Sequence, residues 1–379
     1  MTTRTQDALR RAPDGYVPPP VAAVEATPMI QFVAPDGSET PAGMRHGFDL
    51  ALARDLYHRM SLARALDQEA LALQRQGELS LWLQCWGQEA AQVGTARALP
   101  AETMVFPSYR EHAAALCRGI EPAELLAQWR GISHSGWVAD HRNFHFYSLV
   151  LGTQTLHATG FAMGNRLAGE ASPVAVYFGD GAASQGDVSE AMNWAAAFRL
   201  PIIFICQNNQ WAISTPTELQ YGTPLHHRAA GFGLRSWHVD GNDALAVHAV
   251  TTAAVEWTAA GHGPAFVEAD TFRMAGHSTS DDPKRYRSEL EVEKWRGRDP
   301  LRRLDAALRH RGEGDWVDTV ALQAREFAAD VRRACLSLTA PAIEEVFEQV
   351  YTTPHPALRE EQRAHAAFRA AVEAEAGHA

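Results

Sequence analysis

Two short runs that are apolar at every position, Val174-Ala175-Val176-Tyr177-Phe178 and Ile202-Ile203-Phe204-Ile205, bracket a window in which Val188, Met192 and Ala195 recur at helical spacing. A strand apolar at every residue suits a sheet covered on both faces, and a helix joining two such strands is a parallel crossover. The segment from Val174 to Cys206 therefore predicts a βαβ unit, and with it an α/β fold: a parallel sheet flanked by helices. Ala265 to Phe272 reads as a further strand. The helix before it, Ala244 to Ala260, starts after the capping residue Asp243 and stops at Gly261.

In open parallel sheets, ligands collect beyond the carboxyl ends of the strands. The first run ends in Gly179-Asp180-Gly181 and the second leads into Asn208-Asn209, with 26 residues between Gly181 and Asn208. That is about the length of one helix and its two connections, so both tips face one crevice. Asp180 supplies a hard anionic oxygen, an Asn a neutral amide oxygen, and a loop carbonyl completes a donor set that suits Mg²⁺, which keeps its other positions for phosphate oxygens. Either motif alone also reads as a tight turn or a helix cap. Their pairing at this spacing is far more specific.

The surrounding chain fits a large globular protein. From Pro13 to Pro41 it is rich in Pro, Gly and polar residues around the short apolar piece Met29 to Val33, which predicts an extended arm. Asp49 then caps a helix with Leu52, Leu56, Met60, Ala63, Leu66, Ala70 and Leu73 on one face, ended by Gly77; shorter helical patterns follow at Gln88 to Leu99, Glu111 to Arg118 and Pro122 to Trp129. From Arg298 onward the sequence is helical and highly charged. The expected division is an arm over residues 1–45, a cofactor-binding α/β domain over 46–297, and a helical region over 298–379 packed on it. A net charge of -11 offers nucleic acid no general attraction. No uncharged apolar stretch reaches the roughly 18 residues of a membrane span. The start has no apolar core of signal-peptide length, and the four cysteines are scattered without a C-x-x-C pair, which points to a bacterial cytoplasm.

Six stretches in order, RQGELSLWLQCWGQEAAQVG, FPSYREHA, YFGDGAASQGD, PIIFICQNNQWAISTPT, VDGNDALAV and GHSTSDDPKRYRS, resemble the alpha subunit of the decarboxylating first component of 2-oxo acid dehydrogenase complexes. The likeness runs from about Pro28 to about Arg359. GHSTSDD and AISTPT are most similar to the branched-chain enzyme, whereas YREH and GDGA are shared with pyruvate and acetoin enzymes. The resemblance implies a thiamin diphosphate-binding fold, with the cofactor and Mg²⁺ held by Asp180, Asn209 and the main-chain carbonyl of Trp211. Tyr109 and Arg110 match diphosphate contacts, and a guanidinium fork suits phosphate oxygens. Gly179, Gly181 and Ala182 complete the motif; Gly181 and Ala182 offer N–H groups at a predicted helix start, where the dipole favours anions.

By the same resemblance, His277 contacts the diphosphate and assists proton or acyl transfer, and Leu151, with Leu149 beside it, props the bent cofactor. Ser148, Thr153 and Gln154 match a potassium-binding loop of the branched-chain enzyme. Two departures stand out: Gln207, a cofactor-site position, occupies the place of an Arg in the mammalian branched-chain enzyme, and the stretch Gly131 to Phe144 lacks the family's usual loop. The expected activity is oxidative decarboxylation of a small branched-chain 2-oxo acid, with acyl transfer to the lipoyl groups of an acyltransferase component. Pyruvate or acetoin is the alternative substrate, and a Mg²⁺-dependent phosphate-binding protein without decarboxylase chemistry is the alternative of another class. No pyrimidine-side Glu motif is present, so a beta subunit is expected to complete the site in a heterotetramer of two alpha and two beta subunits.

Overall fold

A computed structural model describes residues 28–376 apart from 134, 171, 343 and 349; most of the predicted arm lies outside the described residues. Helices α1 (Leu50–Arg75) and α2 (Glu89–Ala98) precede strand β1 (Met104–Phe106), and α3 (Thr153–Ala168) leads into β2 (Val174–Gly179). Helix α4 (Gly186–Ala197) carries the chain to β3 (Ile202–Asn208). Helix α5 (Leu225–Gly231) precedes β4 (Arg235–Asp240), and α6 (Ala244–Ala259) precedes β5 (Ala265–Asp270). The five strands form one sheet in the order β1-β2-β3-β5-β4. Every neighbouring pair is parallel.

The pleat sorts alternate side chains onto two faces. Val174, Val176 and Phe178 of β2 pack with Ala158 and Ala162 of α3 and with Val188, Ala191 and Met192 of α4. Ala175 and Tyr177 point the other way, into a core with Ala91 of α2 and Ala246, Val247 and Val250 of α6. Both faces are covered, as runs without alternation require.

Helix starts follow local chemistry. The Asp49 carboxylate accepts from Leu52 N at 3.0 Å, and α1 ends at Arg75 ahead of Gly77, whose φ of 83° is open to glycine. Asp243 does two jobs: it caps α6 through Ala246 N and accepts from Phe32 N and Val33 N of the arm at 2.6 and 2.7 Å. The arm thereby lies along β4, where Ile30 N donates to His238 O and Asp240 N donates to Ile30 O, so the outer edge of the sheet is covered. After α6 and β5, helix Pro300–Arg309 and helix α7 (Gly314–Ser337) pack against α1.

Two strands lie outside the sequence expectation. Strand β1 is only three residues long, and β4 has the half-polar sequence RSWHVD because its first part is only partly covered. A third difference concerns Gly181 and Ala182. They open a single 3-10 turn over Ala182–Ser184, and α4 itself begins only at Gly186. The chain must turn through Gln185, extended at φ −80°, ψ 143°, before the helix can start. Among the described residues, no helix is long and apolar enough to cross a membrane.

Candidate active site

Strands β2 and β3 end side by side, Gly179 opposite Gln207, so their following residues enter one cavity of about 430 Å³. Tyr109, Arg110, Leu149, Leu151, Gly179, Asp180, Gly181, Ala182, Gln207, Asn209, Trp211 and His277 all line it. Segments far apart in the chain thus meet at the carboxyl edge of the sheet, where parallel α/β folds bind ligands.

Asp180 is 1% exposed and among the described residues forms no ion pair. Its Oδ1 accepts from Asn209 N at 3.2 Å, and its Oδ2 accepts from Gln220 Nε2 at 2.9 Å and Thr217 Oγ1 at 3.3 Å. Burial raises its pKa above the usual carboxylate value despite those bonds. A buried carboxylate with only neutral donors around it is a site that a cation would stabilise. Asn209 holds its amide nearby, with Oδ1 accepting from Trp211 N at 3.3 Å.

The opposite charge stands across the cavity. Arg110 is 5% and Arg273 1% exposed, and among the described residues neither is ion-paired. Arg110 donates to the carbonyls of Gln84 at 2.7 Å and His277 at 2.8 Å. Arg273 donates to the carbonyls of Trp211 at 3.2 Å and Ile213 at 2.7 Å, and its Nε is buried without a partner. Burial, with Arg110 second, pushes Arg273 down to about 10. Two buried guanidinium groups without a carboxylate are poised for an anion.

His277 stands between them, its Nδ1 3.5 Å from Arg110 Nη2 and 3.4 Å from Arg273 Nη1. Burial first, then the charges of Arg110 and Arg273, push its pKa down to about 4, so the ring is neutral near pH 7. Its backbone N–H is anchored on Asp281 Oδ2 at 2.6 Å. Tyr109 meets the His277 ring edge-on at 6.1 Å between centroids.

Leu149 and Leu151, 56% and 39% exposed, sit at the cavity rim and not in the core. Of the three residues matched to potassium, none lines the cavity. Ser148 is half-buried, Thr153 is the first residue of α3, and Gln154 is buried with Nε2 donating to Tyr177 O while Oε1 has no partner. Gln207 lines the cavity, but its amide is already committed to Gln92 and Glu111. The stretch Gly131 to Phe144 folds against the sheet: Trp137 Nε1 donates to Phe144 O, and Phe144 bridges to Val105 of β1.

Sequence reasoning missed Arg273, Gln88 and the apolar wall of Leu81, Leu83 and Ile213. Arg273 had a findable signal, since it lies just beyond a buried strand and four residues before His277. Gln88, whose buried Nε2 has no partner, had none.

A parallel sheet whose strand ends bring a buried acid and two buried arginines to one cavity places this chain among α/β proteins with a charged cleft at the carboxyl edge of the sheet. The family described as Dehydrogenase E1 component matches residues 57–333, and the chain belongs to that family. It is 43% identical over 345 residues to the 3-methyl-2-oxobutanoate dehydrogenase subunit alpha of Mycobacterium tuberculosis, covering 88% of this chain and 93% of that one. It is 36% identical to the mitochondrial 2-oxoisovalerate dehydrogenase subunit alpha of Dictyostelium discoideum, over 81% of this chain and 73% of the relative. The pyruvate dehydrogenase E1 component subunit alpha of Bacillus cereus is 38% identical over a shorter 261 residues, 68% of this chain and 70% of that one.

Proposed function

We propose that this chain is the alpha subunit of a thiamin diphosphate-dependent 2-oxo acid dehydrogenase that decarboxylates a branched-chain 2-oxo acid and passes the acyl group to lipoyl groups of an acyltransferase component. The observation that carries this reading is the charge arrangement: one buried, unpaired carboxylate and two buried, unpaired guanidinium groups facing one cavity, a set that a magnesium diphosphate neutralises. The longer matches to the branched-chain relatives, and the higher identity of the mycobacterial one, favour that substrate over pyruvate or acetoin. An apolar wall of Leu81, Leu83 and Ile213 suits a branched aliphatic group.

In this reading Asp180, Asn209 and the Trp211 carbonyl hold Mg²⁺ through oxygen. The Trp211 carbonyl keeps a second lone pair while it accepts from Arg273. Tyr109 and Arg110 hold the diphosphate, joined by the N–H groups of Gly181 and Ala182. Gly181 suits close approach, because a Cβ there would stand 2.7 Å from Ala212 Cβ. When bound, the cofactor supplies the nucleophilic carbon and the electron sink that decarboxylation needs. His277, neutral near pH 7, can take or give a proton at a ring nitrogen beside the reacting groups. Leu149 and Leu151 support the bent cofactor from the rim. A K⁺ on Ser148, Thr153 and Gln154 would employ the unpartnered Gln154 oxygen. A beta subunit supplies the missing pyrimidine-side acid and covers the exposed rim in a heterotetramer.

Calorimetry of the full chain with thiamin diphosphate, with and without Mg²⁺, followed by a 2-oxo acid panel after adding the beta subunit, tests the reading. Magnesium-dependent binding and preferential turnover of 3-methyl-2-oxobutanoate are expected. Magnesium-dependent phosphate binding with no decarboxylation in the assembled protein would favour a simple phosphate-binding protein instead.

A further inference from the structure

Beside Arg110 a buried polar network joins Glu111 and Gln207, which line the cavity, to Gln92, which stands behind them. Gln92, in the middle of α2, is fully buried, and its amide bridges three separate segments. Its Nε2 donates to Arg110 O and to Gln207 Oε1, both at 3.0 Å, while its Oε1 accepts from Ala113 N at 3.0 Å. Gln207 Nε2 then donates to Glu111 Oε1 at 2.5 Å, and Glu111 Oε2 accepts from Arg110 N at 3.2 Å. Both main-chain polar groups of Arg110 are therefore tied to buried side chains.

Packing alone does not call for this. The positions of α2 around Gln92, Ala91 and Val93, are apolar and fully buried, and an apolar side chain at 92 would avoid desolvating an amide. A buried amide is tolerated when every arm finds a partner, and here the partners converge on one residue of the cavity. Arg110 needs such support, because among the described residues its guanidinium is held by the carbonyls of Gln84 and His277, a weak approach to the His277 ring and the Tyr109 ring 5.6 Å away, with no carboxylate to pin it.

We propose that Gln92 and Glu111 are positioning residues for the diphosphate half of the site. They fix the backbone of Arg110 and thereby the reach of its guanidinium, and they hold the Gln207 amide back against the cavity wall. This inference rests on Arg110 being a diphosphate contact, as proposed above. Preorganising a charged donor from behind is the usual way a fold keeps a binding side chain in register.

The test is a double-mutant cycle on the assembled protein, with Mg²⁺-thiamin diphosphate as the calorimetric probe. Gln92→Met keeps the side-chain length and removes the amide; it should weaken binding about tenfold in the native background and less than about twofold when Arg110 is already Ala. Saturating cofactor should restore most of the turnover lost in Gln92→Met, because affinity and not chemistry is affected. If Gln92→Met does not fold, Glu111→Gln, which swaps one acceptor for a donor at constant shape, is put through the same cycle with the same expectation. Equal losses in both backgrounds, no loss in the native one, or an Arg110→Ala protein that binds normally would each overturn the inference. Failure of the unsubstituted protein to bind the probe would instead sink the functional reading, and that is seen before any variant is made.

Discussion

Two aspartates at the carboxyl edge of the same sheet have opposite fates. Asp240, at the end of β4, is fully buried and accepts from Arg303 at 2.9 Å, from Arg298 at 3.3 Å and from Gln31 Nε2 at 2.6 Å. Burial works to raise its pKa, but the charges of Arg303 and Arg298 prevail and hold it below the ordinary carboxylate value. Asp180, just past β2, is as deeply buried, has only neutral donors, and is shifted upward. Arg303 of helix Pro300–Arg309 and Arg298 of the turn before it close one end of the edge, and among the described residues the other end has no such arginine pair. A buried charge already paired belongs to the fold, whereas one left unpaired beside a cavity marks a place for a ligand.

The largest expected effect falls on the closed end. Asp240→Ala should destabilise the fold by about 3–5 kcal/mol, the usual cost of stranding a buried partner, here Arg303. Denaturant unfolding measures it, and a loss under about 1 kcal/mol would erase the contrast. At the open end the effect moves from stability to binding. Asp180→Ala should lower magnesium-dependent thiamin diphosphate affinity by about 10²-fold or more, while the ligand-free protein loses less stability than Asp240→Ala does, because hydrogen bonds from neutral donors and no ion pair are lost. Unchanged affinity in that variant would remove Asp180 from the metal site.

His277→Ala comes next. Overall activity should fall by about 10²-fold with much of the cofactor affinity retained, and comparing an artificial electron acceptor with a lipoyl acceptor shows which half-reaction suffers. Normal rates in both would refute the role.

The last comparison is acid stability. His277, at about 4, and His112, pushed by burial to about 3, both stay neutral in the folded ligand-free protein. Each binds a proton more readily when unfolded, so its share of stability is complete above the unfolded value of 6.5 and is lost as pH falls from there toward 4 and 3. Asp240, with its lowered pKa, adds a loss only below 3.8. The difference in unfolding free energy between the native protein and His112→Gln, followed from pH 7 to 4, separates the imidazole from buried acids such as Asp180, whose raised pKa acts in the opposite sense, and it should shrink as the pH falls. A difference that stays constant from pH 7 to 4 would contradict the buried neutral imidazole at His112.

Much of this architecture was legible from local pattern. The capping roles of Asp49 and Asp243, the glycine stop at Gly77 and the βαβ unit around β2 and β3 are decided within a few residues of chain, and they appear where the pattern places them. Strands β1 and β4 were not legible. One is too short to show a period, and the other is half covered by an arm that approaches from over two hundred residues away in sequence. At the site, Asp180, Asn209, Arg110 and His277 were found through their motifs, but what surrounds each was not.

The sequence alone determined which groups carry charge and which runs must be buried on both faces, because residue type and short-range periodicity are properties of the chain itself. Only the tertiary structure decided which charges are paired. Arg303 reaches Asp240 across 63 positions, while Arg273 donates to the carbonyls of Trp211 and Ile213 and to the Tyr286 hydroxyl and, among the described residues, is in no ion pair. Gln207, whose motif position suggested a cofactor contact, is turned to Gln92 and Glu111. Pairing depends on where distant segments pack and on how far burial strips water from each group, and neither quantity exists until the chain has closed on itself.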